Sequence, residues 1–149
     1  MSESQAGIVF SLEKVYVKDL SFEAPNTPQV FLEKQAPEVG VQLGIEHNVV
    51  DAKLGVYEVL LAVTATAKLG EVTVFLAEAK QAGVFRISGV AEGEMPKVLE
   101  ISCPNILLPF AREVINDLVT KGGFPQLLLT PVNFEALYRQ KSANNAQRA

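Results

Sequence analysis

Residues 56–87 read VYEVLLAVTATAKLGEVTVFLAEAKQAGVFRI. Two long runs rich in β-branched residues flank Leu69-Gly70-Glu71, a connection short enough to make the pair a hairpin. In the first run Tyr57, Val59, Leu61 and Val63 share one parity, and Glu58 and Thr64 share the other. In the second, both parities between Val72 and Ala77 are apolar or small. A strand apolar on both faces is covered on both. The second cover is expected from another subunit.

Two further strands are predicted upstream. Ile8, Phe10, Leu12 and Tyr16 fall on one parity, against Ser11 and Glu13, and the pattern runs on through Val15 and Val17 to Leu20. FEAPNTPQVF (22–31) follows, with Pro25 and Pro28 on either side of Asn26. This spacing excludes a regular element and predicts a crossover loop. Val39, Val41, Leu43 and Ile45 then alternate with Gly40, Gln42, Gly44 and Glu46 as a half-buried strand. HNVVDAKLG (47–55) is predicted as a turn.

Downstream of Gly93 the period changes. In NILLPFAREVINDLVTKGG (105–123), Leu107, Ala111, Val114 and Leu118 form one apolar stripe, and Leu108, Ile115 and Val119 form another beside it. Arg112, Glu113, Asn116 and Asp117 leave only a narrow polar strip. A helix on a sheet needs one apolar stripe about 100° wide. The surplus predicts a helix packed on its own sheet and on a helix of a second chain. Pro104 suits the first turn, Pro109 kinks the helix or marks its start, and Gly122-Gly123 ends it. After the connector FPQLLLTPVNF (124–134), Thr130 and Pro131 are predicted to open a last helix carrying Phe134, Leu137, Tyr138 and Lys141. Residues 1–7 and 142–149 are expected to be disordered tails of a single domain spanning 1–149.

Composition sharpens the problem. Of 149 residues, 48% are hydrophobic and only 20% charged, with a mean hydropathy of +0.20. No run of 18 apolar residues accounts for this as a membrane span, and MSESQAGIVF lacks the basic start of a secretory signal. The surplus is assigned to a large core, to subunit contacts or to ligands. A net charge of −4 argues against nucleic acid as a partner. The charge is uneven: the first hundred residues hold 14 acids and 8 bases, the remainder 3 acids and 5 bases. Such an acidic part suits a basic partner.

Chemistry is sparse. One cysteine, Cys103, and one histidine, His47, provide neither a disulfide nor a zinc set. Phosphate-loop, dinucleotide, nucleophile-elbow and zincin motifs are all missing, and no spacing pairs the carboxylates. Cys103 reads as a structural thiol and His47 as a solvated residue. No catalytic residue, metal or cofactor is predicted, and binding is favoured over catalysis. The aromatics Phe22, Phe31, Phe110, Phe124, Phe134 and Tyr138 sit in or beside proline-bearing connectors. Core filling is the plainer assignment for any one of them, but their concentration there suits binding of varied apolar segments.

Three stretches in this order, YVKDLSFEAPNTP (16–28), CPNILLPFARE (103–113) and GGFPQLLLTPVNFEALY (122–138), resemble the SecB family of protein-export chaperones of Gram-negative bacteria. The resemblance extends from about Val9 to Tyr138. It implies an α+β fold, a four-stranded antiparallel sheet with two helices packed on one face. It also implies a homotetramer, a dimer of dimers, with Leu107, Leu108, Ala111, Val114, Ile115 and Leu118 at the oligomer interface. The implied role is an ATP-independent cytoplasmic chaperone that binds unfolded presecretory proteins and delivers them to the motor ATPase SecA. No nucleic acid and no membrane insertion enter this role. The resemblance carries SecA contact over to Asp19, Glu23, Leu69 and Glu71. It carries client contact over to the loops around residues 22–37 and 121–133, with Phe22, Phe31, Phe110, Phe124, Leu127, Phe134 and Tyr138 as candidates. One departure stands out. Family members usually carry a tryptophan just before the second strand, and this chain has Gln35 in the equivalent region and no tryptophan at all. A SecB-like chaperone dedicated to a toxin–antitoxin pair would share the fold and is the alternative.

Overall fold

The computed structural model describes residues 7–148. Four strands form one antiparallel sheet: β1 (Val9–Glu23), β2 (Glu38–Asp51), β3 (Val56–Leu69) and β4 (Val72–Ser88), in the order β1-β4-β3-β2. The hairpin of β3 and β4 is therefore the centre of the sheet. Gly70 closes it at φ 62°, a left-handed conformation that suits glycine. The turn between β2 and β3 is only 52–55. Residues 47–51, expected within it, lengthen β2 instead.

The helical part starts earlier than the periodicity suggested. A short turn α1 (Met95–Lys97) leads into a π-helical turn at Val98–Ser102 and then α2 (Cys103–Lys121). Pro109 lies inside α2 and does not start it. The widened turn has a physical cause in Pro104. Proline has no N–H to offer the carbonyl four residues back, at Glu100, and its ring crowds that carbonyl. Stretching the turn ahead of it relieves the conflict. The last helix, α3 (Phe134–Arg148), begins three residues after Pro131, and its first turn is held by Asn133, whose Oδ1 accepts the Ala136 N–H at 2.9 Å. Asn133, and not Thr130, is the cap. The helix also runs through 142–148, where a disordered tail was expected. Alanines, Gln and Arg propagate a helix once the first turn exists. Residues 1–6 and 149 of the expected tails lie outside the described residues.

The core lies between α2 and one face of the sheet. Cys103, Leu107, Ala111, Ile115 and Val119, spaced by four, are all fully buried, and Leu108 is nearly so. They meet Val59, Leu61, Val63 and Ala65 of β3 and Ala77, Ala79 and Phe85 of β4. Each large side chain buried this way contributes about 2 kcal/mol. Gly83 makes the close approach possible. A Cβ there would come within 2.9 Å of the Phe85 ring and 3.0 Å of Leu107.

Of the helix residues expected between subunits, Leu107, Leu108, Ala111 and Ile115 are thus consumed by the subunit's own core. Val114 and Leu118 stand half-buried on the flank, in line with Phe110, which is 44% exposed.

β1 departs from simple alternation. Its pairing with β4 shifts between Leu12 and Lys14 and again between Val17 and Asp19. Each bulge adds a residue and reverses which parity faces the helices. Leu12, Val15, Val17, Leu20 and Phe22 pair with Phe85, Gly83, Gln81, Ala79 and Ala77 on the helix side. Tyr16, grouped by parity with Phe10 and Leu12, instead opposes Ala82 on the other face. There it donates a hydrogen bond to Glu58, which also accepts from Lys18 at 2.9 Å and Asn48 at 3.0 Å.

Candidate functional site

A groove with a cavity volume of about 520 Å³ opens between the crossover after β1 and the connector after α2. Its floor is aromatic. The Phe124 ring lies 5.1 Å from that of Phe31, 5.1 Å from that of Phe75 and 6.4 Å from that of Phe22, and Phe22 lies 6.0 Å from Phe75. These centroid spacings are within the range of favourable aromatic contact.

Local backbone chemistry aims each ring. α2 ends in a paired closure: the Gly123 N–H bonds to Thr120 O at 3.0 Å and the Phe124 N–H to Val119 O at 3.2 Å. Gly123 supplies the left-handed conformation this motif requires, at φ 91°. The motif turns the chain back so that Phe124 projects over the sheet. The following backbone is tied to the polar strip of α2. Asn116 Oδ1 accepts the Leu127 N–H at 3.0 Å, and Arg112 Nε donates to Leu129 O at 3.2 Å. On the opposite wall, Asn26 Nδ2 donates to Thr73 O at 2.8 Å, fastening the crossover to β4. Val30 is buried there, and its neighbour Phe31 is left 49% exposed. Gln35 and Pro37 line the same wall.

Of the aromatic and apolar candidates, Phe31, Phe124 and Leu127 line this groove, and Phe22 supports it from behind through its ring contacts with Phe75 and Phe124. Three do not. Phe134 is 1% exposed and belongs to the core. Phe110 stands on the outer flank of α2. Tyr138 borders a separate cleft between α3 and β2. Nearness to proline-bearing connectors singled out these three, but the direction in which each side chain faces depends on packing. Phe75, Val30, Arg112 and Asn116 were missed. Phe75 could have been found from its place in the doubly apolar 72–77 run, but nothing local marked Asn116 or Arg112 as fasteners of a distant loop.

The two residues with catalytic potential are elsewhere. Cys103 is fully buried, and burial pushes its thiol up to about 12, which removes a usable thiolate. His47 is solvent-exposed, as expected, but it does not lie in a turn. It is in β2, with Nε2 3.2 Å from a Glu100 carboxylate oxygen.

The family model for the preprotein translocase subunit SecB matches residues 3–145. The chain belongs to the SecB family. It is 52% identical over 143 residues to the protein-export protein SecB of Nitrosomonas europaea, covering 95% of this chain and 88% of that one. It is 51% identical over 149 residues to the SecB of Nitrosospira multiformis, covering 100% and 92%. In solved structures it resembles a SecB-like chaperone of Mycobacterium tuberculosis held in complex with a ChAD peptide from an antitoxin. The TM-score is 0.70 at 15% identity, over 83% of this chain and 90% of that one. At that identity the likeness concerns the fold, which is the α+β arrangement expected of a SecB-family chain.

The four residues assigned to a motor partner by SecB resemblance occupy two settings. Asp19, Glu23 and Glu71 are exposed. Asp19 opposes Lys80 in the ladder, Glu23 ends β1 opposite Leu76, and Glu71 sits in the β3–β4 turn toward the same end of the sheet. Leu69 is half-buried and lines the aromatic groove. Among the described residues, no helix is long and apolar enough to cross a membrane.

Proposed function

We propose that this SecB-family protein is an ATP-independent chaperone that binds unfolded presecretory chains in the cytoplasm and delivers them to SecA, working as a homotetramer built from two dimers. The observation that carries the client-binding part is the open groove lined by Phe31, Phe75 and Phe124, with the Phe22 ring packed behind Phe75 and Phe124. Unfolded chains expose apolar segments and unpaired backbone. Aromatic walls receive the first, and an edge strand such as β2 pairs with the second. A client that has folded offers neither, so selection follows folding rate and needs no nucleotide. Preferential binding of the unfolded state shifts the folding equilibrium by mass action. Several weak grooves on one assembly acting on one chain supply avidity.

Delivery is assigned to Asp19, Glu23, Leu69 and Glu71. The support is the exposure of the three carboxylates, Glu23 and Glu71 near one end of the sheet and Asp19 opposite Lys80 in the middle of β4, together with the family membership. The export reading is preferred over a toxin–antitoxin chaperone because the export proteins are about half identical to this chain, whereas the chaperone with an antitoxin peptide shares 15%.

A titration with two ligands tests the proposal. The wild-type protein should retain a carboxymethylated, permanently unfolded protein without ATP and ignore the native form. Glu71→Lys should weaken SecA binding and spare the unfolded client. Equal binding of native and unfolded protein would remove the chaperone reading, and unchanged SecA affinity would remove the docking assignment.

A further inference from the structure

Among its described side chains, α3 is anchored at one end. Phe134 is buried and Asn133 caps the first turn, but Leu137 is 39% exposed and every residue from Arg139 to Asn145 is exposed. A polar helix of this kind is not held in place by burial. It nevertheless runs beside β2 across a cleft of about 550 Å³, with Leu43 and Ile45 on the strand side and Tyr138 and Lys141 on the helix side.

One side chain bridges the two walls. Glu100 projects from the π-helical turn ahead of Pro104. Its Oε1 receives Lys141 Nζ of α3 at 3.1 Å, and its Oε2 lies 3.2 Å from His47 Nε2 of β2. The Glu100 side chain is 15% exposed, so neither contact is fully screened by water. Burial works against its charge, but hydrogen bonds from Lys141 and then His47 outweigh it and keep the carboxyl below its ordinary range. Widened helical turns recur at functional positions. Here the widening falls on the residue that links three elements.

We infer that Glu100 is a clip and α3 a hinged strap: Glu100 latches α3 over the Leu43–Ile45 strip of β2 through Lys141 and His47, and release of the clip lets α3 swing about Phe134. The strip belongs to a longer track. Val39, Val41, Leu43 and Ile45 share one face of β2, Val39 lines the aromatic groove, and Val39 and Val41 are exposed. The strap therefore sets how much of this track is open, which extends the client-binding reading and in that respect rests on it. The latch is weak by design of its chemistry. Ion pairs this close to the surface shift an equilibrium by roughly fivefold at most. That keeps the strap closed at rest and still displaceable by a bound segment.

Hydrogen exchange read by mass spectrometry tests the clip without any client. In Glu100→Gln, and separately in Lys141→Ala, amides of residues 135–145 should exchange several-fold faster, while those of 103–121 keep their protection. The exchanged pair Glu100→Lys with Lys141→Glu should return protection to α3. Lys141 is exposed, so Lys141→Ala carries the test even if Glu100→Gln unfolds. Unchanged exchange in Lys141→Ala, or an exchanged pair as fast as the single variants, overturns the clip. Adding a carboxymethylated, permanently unfolded protein separates the two readings. Faster binding by Lys141→Ala supports the strap as a gate on the track. Correct exchange behaviour with no client bound by any variant leaves the clip standing and removes the client reading.

Discussion

Phe124, on the connector after α2, packs its ring 5.1 Å from that of Phe75 in β4, with the planes inclined by 45°. The contact joins the helical layer to the sheet at the floor of the groove. The two residues share one cluster but differ in burial, because Phe75 is 3% exposed and Phe124 is half-buried. Truncating them should therefore have separable consequences. Phe75→Ala is expected to cost about 3–5 kcal/mol of stability, as a large core ring is lost. Phe124→Ala should cost less and weaken retention of an unfolded client more per unit of stability lost. Urea denaturation beside client titration checks this. Equal stability losses with unchanged client binding would remove Phe124 from the site.

Gly122 controls the position of Phe22. A Cβ at Gly122 would collide with the Phe22 ring, although the backbone itself would accept alanine at φ −75°. Gly122→Ala should push the Phe22 ring off Phe75 and Phe124. Client affinity is expected to fall, with a stability loss of about 1–3 kcal/mol from the overpacking. Unaltered affinity in a folded variant would show that Phe22 does not contribute to binding.

The Tyr16–Glu58 pair should make stability depend on pH at both extremes. Hydrogen bonds from Tyr16 and then Lys18 hold the Glu58 carboxyl at about 2, below its unfolded value of 4.5. The charged form is favoured by folding, so its contribution is present above about pH 4.5 and is lost as pH falls toward about 2. Burial and the hydrogen bond to Glu58 raise the Tyr16 hydroxyl from 10.0 to about 12. The unfolded chain thus loses this proton first, and stability falls as pH rises from about 10 to about 12. Denaturation midpoints across pH should show both arms. Tyr16→Phe should abolish the alkaline arm attributable to this residue and shrink the acid arm. An unchanged profile in that variant would refute the assignment.

Leu118 offers the test of assembly. It is half-buried on the flank of α2 beside Val114, outside the stripe that the subunit's own core consumes. Leu118→Asp should lower the oligomeric state seen by native mass spectrometry and leave the far-ultraviolet circular dichroism of the subunit intact. A tetramer that persists would exclude this flank as the contact. Leu107→Asp, by contrast, should unfold the subunit, because Leu107 is fully buried within it.

Much of the fold was legible because it rests on short-range periodicity. The 56–87 hairpin, the alternation of 39–46 and the apolar stripes of α2 each follow from residues within a few positions of one another. The groove was half legible. Proline-bearing connectors marked Phe22, Phe31 and Phe124, but the same rule over-collected Phe110, Phe134 and Tyr138. Parity failed where β1 bulges, since a single extra residue turns Tyr16 to the other face without altering the composition. Glycine at 122 and 123 was read as a helix stop, which it is, but its second role as space for Phe22 and Phe31 depends on loops brought together from distant parts of the chain.

The sequence by itself determined which segments are strands and helices and which residues are apolar enough to bury, because hydrogen-bonded backbone periods of two and 3.6 impose themselves locally. Only the tertiary structure decided which apolar residues are spent inside the subunit and which stay available. α2 can turn only one stripe toward the sheet, and its rotation is set by the close approach at Gly83. That choice buries Leu107, Ala111 and Ile115 and leaves Phe110, Val114 and Leu118 on the flank. It also gathers four phenylalanines from β1, the crossover, β4 and the connector into one cluster under the groove, a juxtaposition of distant positions that no local pattern encodes.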